Sequence, residues 1–117
     1  MQEIKHQAKE ISLWDKIFDV FSEEIGKEFT RGDIIDLIVE KYPNTNRTSV
    51  IPSDYCYNMI NKGIYFKNHI FEQLETGYYK VLGTSYEYTG PIFWKGEKVG
   101  EWKKGEKQPK FSKHIGK

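Results

Sequence analysis

Apolar residues recur at helical spacing along the first part of the chain and at a spacing nearer two along the later part. Leu13, Ile17 and Phe21 form one i, i+4 row, and Trp14, Phe18 and Ile25 widen it into a stripe. Ser12 and Asp15 stand at capping-box spacing, with Asp in the usual Glu/Gln place, and Gly26 is a natural stop. A first helix is therefore expected from Ser12 to about Gly26. The second has stronger punctuation. Thr30 fits the N-cap, Asp33 the third helical position, and Phe29 and Ile34 the two positions of a hydrophobic staple. Ile34, Ile35, Leu37, Ile38 and Tyr42 supply its buried face, and Pro43 closes it. Glu28-Phe29 reads as a short extended piece between the two.

Six polar residues follow, Asn44-Thr45-Asn46-Arg47-Thr48-Ser49, and then Val50-Ile51-Pro52. Proline inside a helix costs about 3 kcal/mol, so a third helix is better started at Pro52, with Asp54 in its first turn. It would run to about Asn61 and end at Gly63, with residues 47–51 a tight lead-in turn. On a helical wheel, Pro52, Tyr55, Cys56, Met59 and Ile60 cluster on a core side. Asp54, Tyr57, Asn58 and Asn61 cluster on the other. A surface face of that composition is built for hydrogen bonding rather than solvation.

From Ile64 onward the period shifts toward two. Residues 70–74 and 78–82 flank Glu75-Thr76-Gly77 and read as a hairpin. Tyr86-Glu87-Tyr88 and Ile92-Phe93-Trp94 look like short strands around Gly90-Pro91. Lys95-Gly96-Glu97 then turns the chain into Lys98-Val99-Gly100-Glu101-Trp102. Two paired helices, a polar third helix and an aromatic hairpin spell an α+β winged helix-turn-helix with an added C-terminal β-hairpin. Residues 1–11 read as a flexible N-terminus, 12–102 as the domain, and 103–117 as a basic flexible tail.

A chain of 117 residues with 38% hydrophobic content suits one folded domain. A single cysteine, Cys56, allows no internal disulfide and no cysteine-based zinc site. No apolar run approaches the roughly 20 residues that span a membrane. The first residues lack a signal-peptide core, so a cytoplasmic location is expected. Net charge is only +1, but it is polarised. Residues 1–45 hold six Lys/Arg against ten Asp/Glu, and residues 46–117 hold twelve against seven. Anionic partners can use such an asymmetry.

Catalytic patterns find little support. Gly63-Ile64-Tyr65, with Gly77-Tyr78-Tyr79, echoes a GIY-YIG nuclease, but the two arginines, Arg31 and Arg47, both lie upstream of the position such an enzyme needs. Glu101-Trp102-Lys103, with Glu87 upstream, matches the Glu-x-Lys of metal-dependent nucleases, a pattern common by chance in a segment rich in Lys and Glu. His6, His69 and His114 have no metal-ligand spacing, and Cys56 falls on the apolar side of its helix. No catalytic residue, metal or cofactor is expected, and the chain reads as a non-enzyme.

The expected recognition surface is for double-stranded DNA. Asn46, Arg47, Thr48 and Ser49 stand where the third helix begins, and Asn and Arg match adenine and guanine edges. Ser53, Asp54, Tyr57, Asn58 and Asn61 continue along that helix, while Lys62, Lys67 and Lys80, with the tail lysines, would hold phosphates. Each small polar residue also suits turns and caps taken singly. A protein partner is the alternative, favoured by the acidic first helix and the modest net charge. A third reading places an extruded base against Tyr57 or Tyr65.

Residues 51–58 (Ile-Pro-Ser-Asp-Tyr-Cys-Tyr-Asn), Asn61-Lys62-Gly63-Ile64 and Phe71-Glu72 resemble an uncharacterised bacterial and phage domain family of unknown function. Tyr88-Thr89-Gly90 and Val99-Gly100-Glu101-Trp102 are similar too. The resemblance covers roughly residues 13–102. It implies a winged-helix-like fold found near restriction-type nucleases, hence DNA recognition in a phage or defence setting. It carries no catalytic residues, and a chain of this length is expected to have no room for a fused nuclease.

Overall fold

Local capping chemistry sets both helices. A computed structural model describes residues 11–60 and 68–107. Helix α1 spans Leu13–Phe21, with the Ser12 hydroxyl accepting from the Asp15 amide at 3.1 Å. It stops about a turn earlier than the apolar stripe predicts: the Ser22 amide makes the last helical bond, and the Gly26 amide turns away to the Val81 carbonyl. Ile25 therefore leaves the helix stripe and stands 63% exposed. Strand β1 is Glu28–Thr30, and α2 is Arg31–Lys41. Thr30 and Asp33 close the reciprocal capping box that their spacing predicts.

Strands β2 (Phe71–Glu75) and β3 (Tyr78–Val81) form the expected hairpin. β1 pairs antiparallel on the other side of β3, giving a sheet of order β1-β3-β2. Ile17, Phe21, Ile34, Ile38, Val50, Phe71 and Val81 pack between this sheet and the helices with no exposed surface. A second sheet contains β4 (Gly90–Trp94), β5 (Glu97–Lys103) and β6 (Glu106–Lys107), in that order. Residues 103–107, patternless in sequence, thus include the last turn and strand. Both turns of this sheet are Lys-Gly pairs with positive φ, Lys95-Gly96 at 52° and 82° and Lys104-Gly105 at 51° and 83°. That is the backbone a two-residue hairpin loop needs, and glycine supplies it without strain. Tyr86–Tyr88, expected as a strand, is irregular.

The main departure lies at residues 52–60. The expected third helix does not form. Arg47–Ser49 and Pro52–Tyr55 are single 3₁₀ turns, and beyond them Cys56 and Met59 form isolated parallel bridges to Phe71 and Phe93 on either side of a bend at Tyr57-Asn58. The segment's backbone bonds run across the molecule instead of along a helix. Ile70 N donates to Tyr55 O and Tyr57 N to Phe71 O, while Phe93 N donates to Asn58 O and Ile60 N to Phe93 O. Ser, Asp and Asn compete with helical hydrogen bonds, and aromatic residues favour extended backbone, so tertiary pairing wins. Cys56 and Met59 join the first core, whereas Tyr57 and Ile60 join a second with Leu82, Tyr88, Ile92, Val99 and Trp102. The result is a mixed α+β domain of two helices and two antiparallel sheets among the described residues, with residues 56–60 shared between its cores. No described helix is long and apolar enough to cross a membrane.

Candidate binding surfaces

The expected DNA-facing residues separate into three groups. Asn46, Arg47, Thr48 and Ser49 form an exposed turn. The Asn46 side chain caps it, accepting from the Thr48 amide at 3.0 Å and the Thr48 hydroxyl at 2.8 Å. Arg47 donates to Asp36 across 2.7 Å, with both side chains more than half exposed. An exposed pair of this kind contributes about 0–1 kcal/mol, so a competing anion displaces it readily. Ser53 and Asp54 are half-buried in the next turn.

Tyr57 and Asn58 belong elsewhere. The helix face that would have presented them does not exist, and both are buried. Tyr57 donates its hydroxyl to Gly83 O at 2.7 Å. Asn58 acts as a piece of strand edge: its amide donates to Gln73 O and its carbonyl accepts from Gln73 N, both at 2.9 Å. Lys80 is half-buried on the central strand, with Glu28 and Glu72 as its cross-strand partners. Asn61, Lys62 and Lys67 lie outside the described residues, as does Gly63-Ile64-Tyr65. The hairpin loop offers Glu75, Thr76 and Gly77 and no cation. Described residues up to Leu82 hold six Lys/Arg against eleven Asp/Glu, whereas residues 83–107 hold five against four.

Two open concavities meet at Tyr86. One, of about 380 Å³, runs between α1 and the loop after β3 and is lined by Phe18, Ile25, Ile70, Leu82 and Tyr86. Phe18, Ile25 and Tyr86 are 45%, 63% and 49% exposed, so its rim is apolar surface open to solvent. The other, of about 220 Å³, is lined by the rings of Trp14, Tyr57, His69, Tyr86 and Trp102, with Asn68, Thr84 and Gly105 between them. Tyr57, His69 and Trp102 pack mutually, with ring centres 5.2–5.5 Å apart. Trp102 Nε1 donates to Tyr57 O at 2.7 Å, fixing that wall. His69 Nδ1 lies 3.2 Å from Cys56 O, and since a carbonyl only accepts, Nδ1 carries the proton.

The sequence pattern did not point to this second concavity as a unit. Trp14 read as helix stripe, Tyr86 as strand, and Trp102 as the end of the segment after the Lys95-Gly96-Glu97 turn. Their convergence comes from residues 56–60 joining the two sheets, which periodicity does not encode.

Burial pushes the Cys56 thiol well above its ordinary range, with Asp54 adding to the effect, so the group stays a protonated thiol in the core. Glu101 is held by Lys98 at 3.0 Å, and Trp102 between Glu101 and Lys103 is buried in the second core. Among the described residues no group of three or more His, Cys, Asp or Glu is placed to hold a metal ion.

These features define a small α+β domain with an exposed polar turn and two adjoining concavities on one loop. The chain belongs to a family described as Domain of unknown function (DUF7225), whose model matches residues 12–109. It is 41% identical over 103 residues to "Uncharacterized protein YnaC" of Bacillus subtilis (strain 168). That match takes in 83% of this chain and 39% of the relative, so the chain spans well under half of that protein's length. No solved structure matches the chain.

Proposed function

We propose that the chain is a non-catalytic DNA-binding domain of winged-helix type in which the groove-reading helix is reduced to the turn at Asn46–Ser49. The observation that carries this reading is that exposed turn, in which the Asn46 cap holds the Thr48 amide and hydroxyl while the Arg47 guanidinium, in a weak surface pair with Asp36, and the Ser49 side chain stand at the surface. The element order supports it: two helices around a short strand, then a three-stranded sheet of order β1-β3-β2 ending in a hairpin. Arg47 reads or clamps, Ser49 and Thr48 position, and Lys103 and Lys104 hold phosphates from the second sheet, where the charge is no longer acidic. A cytoplasmic phage or defence setting fits this role. The test is retardation of duplex DNA over a salt series. With about five phosphate contacts, log affinity falls about 4–5 units per tenfold rise in salt. Arg47→Ala weakens it. Unchanged migration at low salt rejects the reading.

A second reading, a protein-binding domain acting as inhibitor or adaptor, is favoured by one specific observation. Phe18, Ile25 and Tyr86 leave an apolar rim on the larger concavity, on the acidic side of the molecule. Capture of a protein partner that survives nuclease treatment and is lost in Ile25→Asp supports this reading over the first.

A further inference from the structure

We infer that the smaller aromatic concavity is a site for a single unpaired nucleobase. The inference rests on the nucleic-acid reading above and names what that reading leaves open: a place where one base leaves its neighbours. Three observations converge on it.

The first is size and shape. At about 220 Å³ the concavity is smaller than the roughly 300–1,000 Å³ of sites for drug-sized ligands, so it suits one planar ring system rather than an extended chain. Its walls are rings, and one of them, Tyr86, is half exposed at the rim, where an incoming base would stack.

The second is chemistry. Between the rings stand the Asn68 amide, the His69 imidazole and the Thr84 hydroxyl. A nucleobase presents π faces and a polar edge, and it needs both kinds of wall. An apolar aromatic side chain from a peptide offers a ring face but no polar edge to match those side chains.

The third is charge. Gly105, in the wall, closes the turn that carries Lys103 and Lys104, both exposed, with Glu106 opposing them. Glu87 packs against Gly105 and Glu106 pairs across from Lys103, so charge at this edge is balanced, and Lys104, in the turn itself, is the cation that would meet a phosphate on the sugar of a bound base.

Tryptophan emission of the full chain tests the inference, because Trp14 and Trp102 line the site. The probes are adenosine monophosphate, a single-stranded oligothymidine and a duplex of equal length, each titrated against wild type, Tyr86→Ala and Tyr86→Phe. Saturable quenching by the nucleotide and the single strand is expected, with binding weakened about tenfold or more in Tyr86→Ala and retained in Tyr86→Phe. Tyr86 is half exposed and belongs to neither core, and circular dichroism of each variant checks that the fold is retained. Single-strand binding stronger than duplex binding marks a base taken from an open strand. Duplex binding weakened by Tyr86→Ala marks a base drawn out of the helix. Duplex binding with no quenching and no effect of Tyr86→Ala overturns the pocket and leaves the DNA-binding reading standing. Nucleotide quenching lost in Tyr86→Ala, with no duplex retained, supports the pocket and rejects the duplex reading. Quenching by a phenylalanine peptide but by no nucleotide overturns the inference.

Discussion

At the scale of residues, Asn58 shows how a side chain suited to reading bases becomes part of the frame. Its amide replaces a strand neighbour for Gln73, and both backbone groups of Gln73 depend on it. Asn58→Ala removes both partners from partly buried backbone groups, with a cost of at most about 1–3 kcal/mol for each. Urea unfolding measures it. A loss of DNA binding in Asn58→Ala that follows the loss of folded protein confirms a framework role, whereas lost binding with unchanged stability would restore the base-reading role. Tyr88 gives a second prediction. Burial, and then the nearby Glu72 carboxylate, hold its phenol well above the ordinary value of 10. Tyr79, also buried, is pushed up to about 12. A phenol whose folded pKa is raised contributes stability that is whole below pH 10 and lost as pH climbs toward the folded value. The protein is therefore expected to weaken in the alkaline range above pH 10, and Tyr88→Phe to lose stability less steeply there. Thermal melts between neutral and alkaline pH check the slope.

At the scale of elements, what could be read from the chain is what local chemistry decides. The caps at Ser12 and Thr30 and the loop at Gly77 act through neighbours three residues away, and the two helices and the first hairpin follow from them. Thr30→Ala should cost about 1 kcal/mol by removing one side of the capping box, measurable by chemical denaturation. Residues 52–60 are different. Their apolar positions fit a helical wheel, and the burial of Pro52, Cys56 and Ile60 agrees with that wheel. The wheel fails because partners far along the chain, Phe71 and Phe93, offer backbone groups to the same segment. Tyr57 and Asn58, polar at their tips, then turn inward with those tips satisfied. The exposed turn at residues 46–49 was legible because it is local. The aromatic concavity was not, because it is assembled from α1, the shared segment, the loop after β3 and the last hairpin.

At the scale of the whole molecule, the two cores share one piece of chain, and this sets how the protein unfolds. Both described helices pack on the first core, so their circular dichroism reports that core. Trp94 and Trp102 belong to the second, so in a Trp14→Phe background tryptophan emission reports the other. Residues 56–60 give side chains to both cores and hydrogen bonds to β2 and β4, and Trp102 is tied by its indole to Tyr57 O. Breaking the second core therefore removes partners from the segment that closes the first. Ile92 is fully buried in the second core, away from either helix. Its replacement by alanine should cost about 2–5 kcal/mol. If the cores are coupled through the shared segment, both probes move to the same lower denaturant midpoint and remain superimposed, as an all-or-none transition requires. An emission midpoint that falls while the helical signal stays in place would show two independent units. The concavities that meet at Tyr86 would then lie across a flexible joint instead of on one rigid frame.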